Sequence, residues 1–267
     1  MDKKLLDEII VKMEQIGFKI HGIICDLGNQ RLLSELHFYD KKFFCFDNPA
    51  DPSRKVRIFP DAPHLLKLAR THLIRQGFRI PLGDGTFTIL GKRDLQKVLD
   101  VEAHCELKKL HRFSKSHLRV ESHDCQNVRL AAQVFSHTVA KAITWMQPED
   151  KKLKVKSDAI QLFNDWFDVC NSDGRFHSNI YKNRLSEQHI VEQMHILNKM
   201  EKFLHEFEVN TPYKNQYWVT GMLCNIHSTR ALYRDLVTEG PFNYIITKRL
   251  NQDFLEVILS KNLKILR

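Results

Sequence analysis

The chain has 267 residues, 43% of them hydrophobic, which is enough apolar material for one large or two smaller packed domains and too much for a disordered polymer. Its 41 Lys and Arg against 32 Asp and Glu leave a formal net charge of +9, which favours an acidic partner such as nucleic acid, a plain solvated basic surface being the alternative. No apolar run is long enough to span a bilayer, no secretory leader is visible, and the six cysteines contain no Cys-x-x-Cys pair, a pattern of reduced thiols in the nucleus or cytosol rather than of a disulfide framework.

Leu5, Leu6, Ile9, Ile10, Met13 and Ile16 recur at helical spacing, and Gly17 is placed to end that first helix. Phe18 to Cys25 reads as a buried strand ending at Asp26. A polar, aromatic-rich connection follows to Lys55, with Asn48-Pro49 and Asp51-Pro52 as turn signals, before a second strand over Val56–Phe59. Strand, loop, strand and then a helix over Leu65–Ile74 suggest part of an α/β sheet whose functional loops lie at the strand ends. Beyond Gly77 a hairpin is expected, with strands Phe78–Leu82 and Thr86–Leu90 about the Gly83-Asp84-Gly85 turn. Mostly helical sequence follows: a basic, histidine-rich stretch over Leu95–His117, a single helix over Val128–Trp145, and further helices over Ser157–Val169, Glu187–Phe207, Trp218–Leu236 and Leu250–Leu259. Asn171-Ser172-Asp173-Gly174 and Thr211-Pro212 break the pattern, and no internal repeat is found.

Several chemical constellations can be weighed along this frame. Gly85-Thr-Phe-Thr-Ile-Leu-Gly91-Lys92-Arg93 resembles a phosphate loop, but five residues separate its glycines and Arg93 stands where a magnesium-binding hydroxyl is required. Cys105, His111, His117, His123 and Cys125 carry zinc-type donors at spacings that match no usual finger or ribbon, so solvated histidines are the simpler reading. Lys108, Lys109, Arg112, Lys115 and Arg119 either track a nucleic-acid backbone or form a solvated face. No Gly-x-Ser-x-Gly elbow is present. Carboxylates are more suggestive. Asp26 sits at a strand end, Asp61 stands where it can cap a helix, and Asp253 and Glu256 share one face of a helix. Two-metal phosphoryl transfer needs such carboxylates to converge on ions about 3.5–4 Å apart.

Taken together, five blocks resemble the P-element transposase family, including its THAP-type members: Ile23-Ile-Cys-Asp26 with Gly28-Asn29, Ile58-Phe-Pro-Asp-Ala-Pro-His-Leu-Leu-Lys67, Val128-Arg-Leu-Ala-Ala-Gln-Val-Phe-Ser-His137, Phe163-Asn-Asp-Trp-Phe-Asp-Val-Cys-Asn-Ser172 and Leu250-Asn-Gln-Asp-Phe-Leu-Glu256. They stand in the family's order and cover almost the whole chain. The resemblance implies an α+β, predominantly helical protein: a partial ribonuclease-H-like α/β core interrupted by a largely α-helical GTP-binding insertion. The divisions expected are residues 1–67 from the first part of the core, 68–245 for the insertion and 246–267 for the return to the core. By the same resemblance Asp26 and Glu256 match catalytic, Mg²⁺-holding carboxylates, while Phe167, Asp168 and Asn171 look like guanine-recognising residues, with Asp253 near the same nucleotide and Val128 as a further contact. A carboxylate can accept from guanine N1–H and its 2-amino group, and an aromatic ring can stack on the base.

The implied cofactors are GTP and Mg²⁺, the implied partner is transposon DNA, and the implied compartment is the nucleus, with no membrane association and a homo-oligomer left open. Three departures temper this. The family's first catalytic Asp lies upstream of anything present, the DNA-binding THAP zinc module is absent, and the sequence after Glu256 ends in an unfamiliar way that resembles a truncation or altered frame. The expectation is therefore a transposase fragment that retains the GTP-binding insertion, is not catalytic by itself, and has a poorly stable core. The alternatives are a DNA- or protein-binding module without nucleotide binding, and an active strand-transfer enzyme completed by upstream sequence.

Overall fold

A computed structural model describes residues 2–38, 44–106, 110–210 and 217–252. In chain order its elements begin with α1 (Lys3–Gln15), β1 (Gly22–Cys25), α2 (Gln30–Glu35), β2 (Cys45–Asn48), β3 (Asp51–Pro60) and α3 (Ala62–Arg75). They continue with β4 (Phe78–Pro81), β5 (Phe87–Leu90), α4 (Lys92–Ala103), α5 (Val128–Val134), α6 (His137–Met146) and α7 (Lys151–Cys170). The last are β6 (Leu185–Ser186), α8 (Ile190–Glu206), β7 (Glu208–Val209), α9 (Tyr217–Tyr233) and β8 (Tyr244–Ile245). The chain is α+β and predominantly helical. Two compact units are formed by its described residues, the first drawn from Met1–Ala62, Val169–Gln193 and Trp218–Arg267, the second from Pro63–Asp168 and Met194–Tyr217.

In the first unit α1 starts where the Asp2 side chain accepts from Leu5 N at 3.0 Å, and it stops at Gly17, whose φ of 98° suits the left-handed end of a helix. The chain then enters a three-stranded sheet of order β1-β3-β2. Strands β1 and β3 run parallel, with Gly22 opposite Arg57 and Cys25 opposite Pro60, while β2 returns antiparallel on the other side of β3. Parallel neighbours bring both carboxyl ends to the same edge of the sheet, which is where Asp26 and Asp61 follow. Helix α9 is buried on almost every side, from Trp218 through Leu232, and its buried positions include the polar Thr220, Asn225, Ser228 and Thr229. It is also hydrogen-bonded to β3: Ser228 Oγ donates to Ile58 O at 2.6 Å and Asn225 Nδ2 to Pro60 O at 3.0 Å.

The second unit is built on the hairpin β4–β5, extended by β7 on the other side of β4. The return strand β5 occupies the residues of the apparent phosphate loop, so hairpin pairing accounts for that sequence. An aromatic cluster fills the interior: the Phe163 ring lies 5.7 Å from Phe78, 4.5 Å from Phe135 and 5.9 Å from Phe203, centroid to centroid. Such pairs add to area burial through their quadrupoles.

Several boundaries differ from the sequence expectation. The first strand is confined to Gly22–Cys25 and only half-buried, and Phe18 lies exposed before it. The connection to Lys55 is not irregular, because it forms α2 and β2, and β3 begins already at Asp51. The single helix expected over Val128–Trp145 is two, broken at Ser136, whose extended backbone and side chain accepting from Val139 N begin α6. A local N-cap ends one helix and starts another without Gly or Pro. The helical stretch after Leu95 stops at Ala103, and α7 begins earlier than expected, at Lys151.

Candidate functional site

The carboxyl edge of the first unit's sheet carries two acids in different states. Asp26 is exposed and its Oδ1 accepts from Gly28 N at 2.8 Å, a turn closed by the aspartate's own side chain. A Cβ on Gly28 would lie 3.0 Å from that oxygen. Between them Leu27 holds φ at 65°, a left-handed conformation that is costly for a leucine and is kept here by burial of its side chain. Burial pushes the Cys25 thiol up to about 11, so that group is neutral beside the turn. Asp61 is buried: its backbone N donates to Cys25 O at 2.8 Å, tying the two strand ends, and its Oδ1 accepts from Gln252 N at 2.8 Å.

The C-terminal end of α7 holds the next group. Phe167 and Asp168 lie half-buried in its last turn, with the Phe167 ring centroid 6.4 Å from that of buried Trp166. Asn164 Nδ2 donates to Asp168 Oδ2 at 3.3 Å. Just past the helix, in the first unit, Asn171 Oδ1 accepts from Asn251 Nδ2 at 3.0 Å. The last carbonyls of a helix have no partner within it, and here the segment around Thr247 supplies donors: Thr247 Oγ1 to Val169 O at 2.6 Å and Asn251 Nδ2 to Cys170 O at 3.4 Å. Ser172 completes the closure, since its N donates to Thr247 Oγ1 at 2.9 Å while its O accepts from Lys248 N at 3.0 Å. Gly174, at φ 81°, packs directly on Ile246.

The other anticipated residues fall elsewhere. Val128 opens α5 in the second unit, where Asn127 caps the helix by accepting from Leu130 N at 3.2 Å. Asp253 and Glu256, like Lys108 and Lys109, lie outside the described residues. The zinc alternative receives no support from geometry: among the described residues no group of three His, Cys, Asp or Glu is placed to hold a metal. His117 is instead a buried structural group, hydrogen-bonded through Nε2 to Gln133 Oε1 at 2.8 Å and through Nδ1 to Ser114. The irregular segment around it is organised by Arg70, fully buried in α3, whose guanidinium donates to the carbonyls of Ser116, His117, Arg119 and Asp124. Neither Arg70 nor Asn251 stands out in the sequence. Arg70 looks like an ordinary helical cation, and Asn251 acquires meaning only from a partner 80 positions away.

A family model described as "TNP-like, GTP-binding insertion domain" matches residues 63–184. The "Transposable element P transposase" of Drosophila melanogaster is 32% identical over 261 residues, 96% of this chain and 34% of that protein. "DNA transposase THAP9" of Homo sapiens is 24% identical over 276 residues, 97% of this chain and 30% of that protein. Among solved structures, the "Drosophila P element transposase strand transfer complex" superposes with a TM-score of 0.85 at 30% identity, covering 98% of this chain and 59% of that one. The chain thus spans about a third of the length of the curated relatives it matches.

Proposed function

Because this chain belongs to the P-element transposase family and carries its GTP-binding insertion domain, we propose that it binds a guanine nucleotide at the C-terminal end of α7 and contributes Asp26 to a ribonuclease-H-like core acting on DNA in the nucleus. The observation that carries the nucleotide half of this reading is the built end of α7. Within five residues it offers an aromatic ring, a carboxylate and a side-chain amide, in Phe167, Asp168 and Asn171, and its terminal carbonyls are closed off by donors from the Thr247–Asn251 segment. Stacking, acceptance from guanine N1–H and the 2-amino group, and a polar contact at the 6-position are the three interactions a guanine reader needs. Asp253 and Val128 are proposed as further contacts by family likeness.

On the metal side Asp26 offers one exposed carboxylate, and its partner by likeness is Glu256; these are the residues that would hold Mg²⁺. When bound, such an ion would supply charge neutralisation at phosphoryl oxygens. DNA as a partner is supported by the net charge of +9 and by the strand transfer complex in which the similar structure was solved.

Titration of the purified protein with a fluorescent guanine nucleotide tests it. Saturable binding that GTP displaces and ATP does not, weakened at least tenfold by Asp168→Ala, is expected. Equal displacement by GTP and ATP, or an unchanged affinity in Asp168→Ala, would favour a DNA- or protein-binding module without nucleotide recognition.

A further inference from the structure

We propose that Asn251 is a positioning residue that sets the 6-position selectivity of the nucleotide site through Asn171, an inference that rests on the nucleotide-binding reading above. A carbonyl oxygen can only accept, so the Cys170 carbonyl fixes which way the buried Asn251 amide faces, with Nδ2 towards it at 3.4 Å. The same Nδ2 donates to Asn171 Oδ1 at 3.0 Å. With Oδ1 engaged, Asn171 has its Nδ2, a donor, to present to a ligand. Reversing Asn171 would set its NH₂ group against that of Asn251, and reversing Asn251 would set an oxygen against the Cys170 carbonyl. The orientation of one half-buried amide is thus dictated by a backbone carbonyl two bonds of the network away.

The supporting frame is rigid for a segment without regular structure. Gln252 N donates to the buried Asp61 carboxylate at 2.8 Å, Asn251 N donates to Lys248 O at 3.3 Å, and Thr247 and Ser172 exchange hydrogen bonds, with Thr247 N to Ser172 Oγ at 3.2 Å. A second observation also points to a ligand. Asn251 is 4% exposed, yet its Oδ1 meets no donor among the described residues. Buried polar atoms without partners are few in native proteins, and an acceptor left in this position suits a ligand N–H or an ordered water.

Purines differ at the 6-position: guanine carries an oxygen there, an acceptor, and adenine an amino group, a donor. A donor locked at Asn171 is matched to the first and opposed by the second. Without Asn251 the Asn171 amide can turn over and serve either base, so the loss falls on discrimination rather than on binding as a whole.

The test titrates the wild-type chain and Asn251→Leu, which keeps the volume and removes both polar atoms, with a fluorescent guanine nucleotide displaced by GTP, ATP and 6-thioguanosine triphosphate. The last keeps the N1–H and the 2-amino group and replaces the 6-oxygen by sulfur, a weaker acceptor. Wild type should bind it roughly threefold or more weakly than GTP, the effect of weakening one hydrogen bond. Asn251→Leu should reduce the GTP-over-ATP preference by roughly fivefold or more, leaving the part that Asp168 supplies, whereas a purely structural role would weaken both alike and keep their ratio. An unchanged ratio in Asn251→Leu overturns the proposal. Should that variant not fold, the wild-type series decides, and equal binding of GTP and 6-thioguanosine triphosphate overturns it. If wild type binds no purine nucleotide, the nucleotide-binding reading fails with it; if wild type selects GTP and the variant selects it to the same degree, only the role of Asn251 is lost.

Discussion

Glu14, near the end of α1, ties that helix to the sheet that presents Asp26, and its removal should destabilise the first unit in a pH-dependent way. Its Oε2 accepts from Arg54 Nη2 at 2.5 Å and its Oε1 from Ile20 N at 2.7 Å and Asn48 Nδ2 at 2.8 Å, with the Glu14 side chain only 11% exposed. The Arg54 hydrogen bond, followed by that from Ile20, lowers the carboxyl from its ordinary 4.5 to about 2. A depressed pKa means that the native state favours the carboxylate, so the stabilisation is fully present above the unfolded value and is lost as pH falls through the folded one. Converting that difference gives about 3 kcal/mol at neutral pH. All three hydrogen bonds are accepted by an ionised carboxylate and so are charge-assisted, which is consistent with a contribution of several kcal/mol before any rearrangement.

Glu14→Gln keeps one oxygen and turns an NH₂ group on the remaining donors. Thermal melts of wild type and Glu14→Gln at pH 7 should differ by about 2–3 kcal/mol, or roughly 4–12 °C for a chain of this size. The gap should close as pH falls from about 4.5 towards about 2, because below that window both proteins carry a neutral side chain. Taking the difference between the two removes the titration of every other carboxylate. A gap that stays constant between pH 6 and pH 2.5, or no gap at pH 7, would refute the assignment of stability to this ionised cluster.

Two further outcomes follow from groups outside the candidate site. Arg70→Met should leave the carbonyls of Ser116, His117, Arg119 and Asp124 without their shared donor, at a cost of about 3 kcal/mol or more; limited proteolysis should then cut first between residues 114 and 126, and an unchanged cleavage pattern would count against the cradle. Gly174→Ala combines a φ of 81° with a Cβ placed 2.8 Å from Ile246 Cδ1, so it should lower stability by about 1–3 kcal/mol, read as a shifted urea midpoint, with Gly83→Ala as the comparison because nothing lies within 4 Å of its Cβ position.

Much of this architecture is legible in the sequence, for reasons that differ from place to place. The first helix, the β4–β5 hairpin and the long α7 could be read because periodicity, Gly-rich turns and uninterrupted apolar spacing are local signals. The break at Ser136 is not legible, because a serine inside an apolar run announces a cap only when its own backbone is seen to be extended. Asp61 illustrates the other limit: its sequence context suggests a helix cap, whereas its carboxylate also holds Gln252 N across 191 positions. Asn251 and Arg70 fall in the same class, since backbone carbonyls define what each does and a carbonyl has no residue code.

The two acids at the sheet edge show how one strand pair divides anchoring from availability. Cys25 and Pro60 are register partners, so Asp26 and Asp61 leave the sheet side by side in topology, and chemistry alone would allow either to face a ligand. Burial separates them. Asp61 has given its Oδ1 to a backbone N–H and is enclosed, which makes it an anchor for the segment that leads towards Asp253 and Glu256. Asp26 stands exposed on a turn in which Leu27 adopts φ 65°, a strained conformation held by burial of the leucine side chain. Asn251, next to the anchored Gln252, then connects the same short segment to the end of α7 through Asn171. The edge that presents Asp26 and the amide proposed to read guanine are therefore steadied by one stretch of six residues, Thr247 to Gln252, and a perturbation of either should be sought first in that stretch.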